Sequence, residues 1–506
     1  MSHKTFLLQG RRTGVAKTIA TNISRRKNDM ETVQKRRERE VLGSVPRSYG
    51  EIVGYLDTHW HISAKESVLQ RMEQLDRECG SVSKQINTII TAGSNGKSLT
   101  MHFTARLLQA EGLSVGTFQS PHLLTYNERI LLNDGSLIPN KNFTELGNLV
   151  IDAVERLKLA ANSDEILTMM ALLYFKEQKV DVALLEAHDG GMYAPVNMCH
   201  AKVAIITRVT PRNTRTTPEE LQQAIYETAG VIKKDTRVVA GDQIKAHLQL
   251  IEQLTASCGG VWEMPIRKLA VLAYPFEQLH GRCAALAERA AFIYVNTWTT
   301  GGSTLLNNSL LVKQKGQRGR PTLEAKRQAK LNPKKTIDQF WKETVSELPA
   351  RFQMLDKEKP SILLDSASNL DALENLLLGI RLLHYQRPLK GLTLVVGSAH
   401  DALHGEEFLK LIRYFFKKTP GQIFVCPPHG ETQNLHGNGE DKSWDVESVT
   451  NDIKSRKMKA YSFASFSEAF EAAKTSVDEK YGLVVITGSH SIINEYWHHK
   501  GIKKLS

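Results

Sequence analysis

Along most of this 506-residue chain, short apolar and β-branched runs alternate with stretches of helical spacing. Residues 87–90, 114–118, 182–186 and 203–207 read as strands buried on both faces, because their consecutive apolar positions leave no polar side. Between them, 142–159 and 165–176 place apolar residues three and four apart, the pattern of an amphipathic helix. A long polar and basic interval follows. The alternation then resumes, with strands expected at 361–364, 392–396, 423–426 and 483–486 and helices at 370–384, 405–416 and 467–476. Strand and helix in turn imply an α/β fold, with mainly parallel sheets covered by helices on both faces. Two such blocks imply two domains. The expected division is a basic tail at 1–47, a first α/β domain at 48–300, a basic linker or surface loop at 301–347, and a smaller Rossmann-like α/β domain at 348–506.

The first strand runs into Gly93-Ser94-Asn95-Gly96-Lys97-Ser98, and helical spacing begins at once, with Phe103, Leu107, Leu108 and Ala110 apolar. A strand, a glycine-bracketed turn and a helix form a cradle for a nucleotide triphosphate. Backbone N–H groups at the helix start face anionic oxygens, and the glycines let the main chain bend and approach closely. Lys97 offers a charge to the β and γ oxygens, and the Ser98 hydroxyl can reach Mg²⁺. The first block is therefore expected to be a P-loop parallel-sheet ATPase domain, with ATP and Mg²⁺ as its cofactors. Only two residues separate Gly93 from Gly96, so the spacing is shorter than that of the general phosphate loop.

Charge changes the picture at two places. The net charge is +12, and residues 1–47 hold twelve Lys/Arg against four acids. The first 28 residues carry seven basic residues and no acid, which fits a transit segment for the mitochondrial matrix, an RNA-binding arm or a plain solvated tail on a cytoplasmic protein. Residues 313–335 add nine Lys/Arg with the single acid Glu324. No aromatic residue interleaves with that run, so any contact with an anionic partner such as RNA would be driven by phosphate charge alone. Five scattered cysteines lack metal-type spacing and point to a reducing compartment. No apolar run reaches membrane-spanning length. A monomer is expected.

Downstream of the turn stands Gln119-Ser120-Pro121-His122-Leu123, followed by Glu128-Arg129-Ile130. With the phosphate turn, and with Glu165, Thr168 and Ala171, Glu186 with Gly190-Gly191 and Asn197, Pro349 to Gln353, Asp365 to Asn369, His400-Asp401 and Gly488-Ser489 in order, this set resembles the folylpolyglutamate synthase and dihydrofolate synthase branch of the Mur ligase superfamily. The resemblance covers 49–500. It implies a Mur-ligase-type ATP-binding domain and a C-terminal Mur ligase domain, and a reaction in which ATP phosphorylates a folate carboxylate that the amine of glutamate then attacks. By position, Lys97 would hold phosphates, Ser98 and Glu165 would bind the first Mg²⁺, and Asp365 would contact the nucleotide alongside Gly93, Ser94, Asn95 and Gly96. Arg351 would lie at the domain junction near the phosphates. His122 and Arg129 would line the folate side. Each residue also has a plainer reading: Glu165 as a helix N-terminal acid favoured by the dipole, His122 as a packing or capping residue, Arg351 as an interdomain ion pair.

Several family positions are changed. Where the resemblance implies a carbamylated lysine for a second Mg²⁺, the chain has Thr228, and the accompanying Asp-His pair falls on Arg212 and Asn213. The family's GGRLDATN appears as Gly190 to Asn197 without its arginine, aspartate or threonine, and the asparagine that approaches adenine falls on Gly281. Three readings follow: a divergent folylpolyglutamate synthase-like ligase, a catalytically degenerate relative kept as a nucleotide-binding or interaction protein, and a ligase for another amino acid or carboxylate.

Overall fold

The computed structural model describes residues 46–60, 65–133, 135–188, 190–211, 216–241, 243–265, 272, 278–300, 305, 337–343, 348–398, 403–428 and 444–505. Nearly all of the basic tail, the 313–335 run, Asp189, Arg212, Asn213, His400 and Asp401 lie outside these residues. Among the described residues no helix is long and apolar enough to cross a membrane.

After helices α1 (Tyr49–Thr58) and α2 (Val68–Glu78) the chain builds its first sheet. The elements are β1 (Thr88–Ala92), α3 (Lys97–Ala110), β2 (Val115–Phe118), β3 (Ile130–Leu132), β4 (Ser136–Leu137), α4 (Asn140–Leu157), α5 (Ser163–Glu177), β5 (Val182–Glu186), β6 (Val203–Ile206), α6 (Pro218–Ala229), β7 (Arg237–Ala240), α7 (Lys245–Ser257), β8 (Val261–Glu263) and α8 (Gln278–Trp298). The strand order is β4-β3-β2-β5-β1-β6-β7-β8. Strand β1 pairs in parallel with both β5 and β6, and all three are buried along their whole length, in keeping with their mostly apolar sequences. Among the described residues β3 alone runs against the rest of this sheet, antiparallel to β2 and to β4, with which it forms a short hairpin at one edge.

Helix α3 packs along α8, with Phe103, Leu107 and Leu108 in one core with Ala284, Ala287, Ala290 and Ala291, whose small side chains admit close approach of the two helices. A further helix, α9 (Ile337–Glu343), belongs to this same core. Its Trp341 is fully buried and meets the Phe103 ring edge-on at 5.2 Å, and Leu305 is buried there as well. The linker expected at 301–347 is corrected here: its described residues complete the first domain, because their aromatic side chains find the apolar face of α3 that the alanines of α8 leave uncovered.

The second sheet is built from β9 (Gln353–Leu355), β10 (Ser361–Asp365), α10 (Leu370–Gln386), β11 (Leu392–Val396), α11 (Glu406–Phe416), β12 (Gln422–Val425), α12 (Val446–Ser455), β13 (Ala460–Ser462), α13 (Phe466–Thr475), β14 (Leu483–Thr487) and α14 (His490–His499). Its order is β13-β12-β11-β14-β10-β9, parallel except for β9. Helices cover both faces, giving two core layers. One holds Leu373, Leu376, Phe408 and Ile412, the other Phe466, Phe470, Ile492 and Tyr496. In each sheet the loops that carry the sequence motifs leave the carboxyl ends of the strands, where parallel sheets place their ligand crevices.

Candidate active site

The turn between β1 and α3 owes its shape to its two glycines. Gly93 has φ 139° and Gly96 φ 86°. A Cβ on Gly93 would lie 2.2 Å from Thr207 Oγ1, and one on Gly96 2.8 Å from Cys283 Sγ, so neither position admits a side chain. The N–H groups of Ser94 and Asn95 donate to the Arg208 carbonyl at 2.8 and 3.1 Å, which fixes the turn against the end of β6. Lys97 folds back over it, with Nζ 2.9 Å from the Gly93 carbonyl oxygen.

The carboxylate that meets this turn is Glu186, at the end of β5, where Thr91 of β1 and Glu186 stand in register. Ser98 donates its hydroxyl to Glu186 Oε2 at 3.2 Å, the Ser120 N–H donates to the same oxygen at 3.3 Å, and Lys97 Nζ lies 3.7 Å from Oε1. A hydroxyl and a carboxylate in contact are the hard oxygen donors that Mg²⁺ takes while keeping part of its water shell. Glu165, expected to bind the first Mg²⁺ together with Ser98, makes its contacts elsewhere. Glu165 sits in the first turn of α5, capped by Asn162, and its fully buried carboxylate is gripped by Arg71 of α2, with Nε 3.2 and 3.0 Å from its two oxygens and Nη2 on Oε1. Burial pushes the Glu165 carboxyl above its ordinary range while Arg71 pulls it down. Both of its oxygens are occupied by the guanidinium.

From the second domain come Arg351, Asp365 and His490. Arg351 donates to the Ala350 carbonyl, to the Ser366 hydroxyl and, at 3.3 Å, to His490 Nε2. Burial lowers its pKa, opposed by the charges of Asp365 and Glu186, so Arg351 feels the carboxylate at the phosphate turn. Asp365 Oδ2 accepts the Phe352 N–H at 2.8 Å and so holds the segment that carries Arg351. His490 and Arg71 are not distinguished by the sequence reading. Only their neighbours in space give them meaning.

On the other flank, Glu128 folds the Ser120–Glu128 segment by accepting the N–H groups of Leu123, Leu124 and Thr125 at 2.8, 3.0 and 2.7 Å. Arg129, fully buried, donates from Nε to His122 Nδ1 and from Nη1 to Ser120 Oγ, each at 2.9 Å. Its guanidinium lies 4.7 Å from the Trp60 ring centroid, and Tyr126 completes the wall with its hydroxyl on Asp57. His122 and Arg129 are thus joined side chain to side chain.

Burial, with the Arg129 charge beside it, holds His122 well below the usual imidazole range, and burial pushes His102 of α3 down to about 4. The unfolded chain protonates both near 6.5, so between about pH 4 and 6.5 it binds more protons than the fold does. Stability should therefore fall as pH drops through that window, His102 alone contributing about 3 kcal/mol at most. Denaturant unfolding at several pH values measures this, and His102→Gln should flatten the slope; an unchanged slope would assign it elsewhere.

Thr228 stands at the position where the resemblance implies a second Mg²⁺ ligand. It is buried in α6 and its hydroxyl donates back to the Ala224 carbonyl at 2.7 Å. The Gly190-Gly191 turn lies directly against it, since a Cβ on Gly191 would come 2.5 Å from the Thr228 carbonyl oxygen. Among the described residues no three His, Cys, Asp or Glu side chains gather as a metal cluster.

No protein-family model matches the chain. It is 31% identical over 227 residues to a dihydrofolate synthase/folylpolyglutamate synthase of Bacillus subtilis, covering 44% of this chain and 49% of the relative. It is 28% identical over 239 residues to a folylpolyglutamate synthase of Lacticaseibacillus casei, covering 46% and 55%. The chain thus spans about half the length of the curated relatives it matches. The fold extends further. A Mycobacterium tuberculosis folylpolyglutamate synthase complexed with ADP and AMPPCP superposes with a TM-score of 0.68 at 19% identity, over 89% of this chain and 98% of that one. A bifunctional folylpolyglutamate synthase/dihydrofolate synthase of Yersinia pestis, complexed with AMPPNP and a Mn ion, does so with a TM-score of 0.65 at 20% identity, over 90% and 98%. The two-domain α/β fold is that of these synthases.

Proposed function

We propose that this chain is an ATP-dependent ligase that adds glutamate to a folate through an acyl phosphate. The observation that carries this reading is the meeting of Lys97, Ser98 and Glu186 at one turn, with Arg351 of the second domain within range of the Glu186 charge. A cation for the phosphates, a hydroxyl-carboxylate pair for Mg²⁺ and a buried guanidinium are what phosphoryl transfer to a carboxylate needs, since that chemistry is mostly positioning and charge neutralisation. Mg²⁺, when bound by Ser98 and Glu186, would offset the charge of the transferring phosphoryl group. Lys97 would leave the Gly93 carbonyl for the phosphate oxygens. The wall of Trp60, His122, Tyr126 and Arg129 would take the flat, anionic folate, with His122 held neutral as an acceptor of the Arg129 N–H. With Thr228 turned inward, the site is read as working with one Mg²⁺ bound by the chain.

The test is direct. Incubation with ATP, Mg²⁺, glutamate and either dihydropteroate or tetrahydrofolate should give the glutamylated product by mass spectrometry and one phosphate per amide bond. ATP binding without product under all combinations would select the degenerate reading, and product only with another acid or amine would select the altered-substrate one. Lys97→Ala should weaken ATP by about 1.5 to 3 kcal/mol, the value of a charge-assisted contact; titration calorimetry that finds parental affinity would remove the turn from the nucleotide site.

A further inference from the structure

The side chain of Asn95 points out of the phosphate turn and into the second domain. It forms a reciprocal amide pair with Asn369, Nδ2 to Oδ1 at 3.1 Å one way and 2.8 Å the other. The same Asn95 Nδ2 lies 2.9 Å from Asp371 Oδ2. Asp371 Oδ1 in turn holds Arg208 Nε at 3.1 Å, and the Arg208 carbonyl accepts the Asn95 N–H. The contacts close a ring: Asn95 to Asp371 by side chain, Asp371 to Arg208 by ion pair, Arg208 back to Asn95 by main chain. Asn369 is also the N-cap of α10, its Oδ1 accepting the Ala372 N–H, and Asp371 stands in the first turn of that helix. Both are therefore fixed by the second domain and not by the turn they grip. Asp371 and Arg208 are mostly shielded, at 15% and 27% side-chain exposure, so their charges act at short range with little screening.

An acidic side chain on a phosphate turn opposes binding of a triphosphate unless a cation cancels it. We propose that Asn369 and Asp371 are positioning residues, which set the shape of the phosphate turn from the second domain, and that Arg208 serves to cancel the Asp371 charge and not to touch phosphate. The turn then has its binding shape only when α10 is docked on it, which ties nucleotide affinity to docking of the second domain. This inference rests on the reading of the turn as an ATP site.

Charge and shape are separable by substitution. Asp371→Asn keeps an oxygen for Asn95 and should leave Mg·ATP affinity within threefold of the parent, whereas Asp371→Ala removes the grip and should weaken it about tenfold. Arg208→Ala bares the carboxylate and should weaken binding tenfold or more, by a margin that salt changes little at so shielded a site. The double variant Arg208→Ala/Asp371→Asn should return to within threefold of the parent. Titration calorimetry on the full chain at two salt concentrations reads all four, and unfolding midpoints confirm that each variant is folded, with Arg208→Lys standing in should Arg208→Ala fail to fold. A double variant as weak as Arg208→Ala would show that Arg208 bears on the phosphates itself, and parental affinity in both Asp371→Ala and Arg208→Ala would remove the ring from nucleotide binding. Either result overturns the inference while leaving the ATP site standing. A parent chain that binds no ATP overturns both.

Discussion

Glu186→Gln is expected to reduce glutamate addition about 10²- to 10³-fold, the cost of losing one preorganised charge at a phosphoryl-transfer site. The substitution keeps the size of the side chain and its contact with Ser98, so the fold should be undisturbed and the loss should fall on turnover. A second effect has the opposite sign. In the absence of a divalent cation the Glu186 charge faces an incoming triphosphate and competes for Lys97, 3.7 Å away. Removing it should therefore strengthen metal-free ATP binding, by roughly a hundredfold for a charge about 6 Å from the phosphates at an effective dielectric near 20. Mg·ATP should at the same time bind more weakly than to the parent. Affinity measured with Mg²⁺ and with EDTA gives both signs in one experiment. If the two affinities move in the same direction, Glu186 is not a metal ligand, and the role given to Ser98 falls with it.

The phosphate turn was readable in the sequence because it is local: strand, two glycines, lysine and helix follow one another within one short stretch, and each residue type answers to its own steric or electrostatic need. Many of the inner strands were readable for the same reason, since they carry mostly apolar runs, although β7 was not found. What the sequence hid was assembled at a distance. Glu165 and Glu186 are both acids near apolar segments, and choosing between them needs the register that places β5 beside β1. A usable signal existed. Glu186 ends a run of four apolar residues, and a charged residue at the carboxyl end of a buried parallel strand is where such folds place chemistry. Strands β3, β4, β8, β9 and β13, at or next to the sheet edges, have three residues or fewer, too short for any period to declare itself. Helix α9 was hidden by its surroundings, since the basic run before it reads as linker while Ile337, Phe340 and Trp341 place the segment in a core. The Asn95, Asp371 and Arg208 ring joins residues from two domains, and nothing in their local sequence distinguishes them from ordinary caps and surface ions.

Arg71→Ala should produce the largest loss of stability of any single change considered, about 3 to 5 kcal/mol at neutral pH, because it leaves the Glu165 carboxylate buried without its partner. The deficit should depend on pH in a definite direction. Without the guanidinium, only the hydrogen bond at Asn162 still opposes burial at Glu165, and its pKa in the fold rises further above the unfolded value. The folded variant then binds more protons than the unfolded chain from the ordinary carboxylate range upward, so its stability falls as pH rises through that window and its deficit is smallest in mild acid. Denaturant unfolding of parent and variant from pH 5 to 8 measures the slope. Replacing both partners with apolar residues of similar volume, Arg71→Met with Glu165→Leu, should recover most of the loss, since a buried ion pair returns little beyond what its own desolvation costs. The double variant also settles which acid serves the metal. If Glu165 only ties α2 to α5, as its contacts show, the double variant should keep ATP affinity and turnover within a few-fold of the parent; loss of both in a protein of recovered stability would mean that Glu165 leaves Arg71 during the reaction and takes part in it.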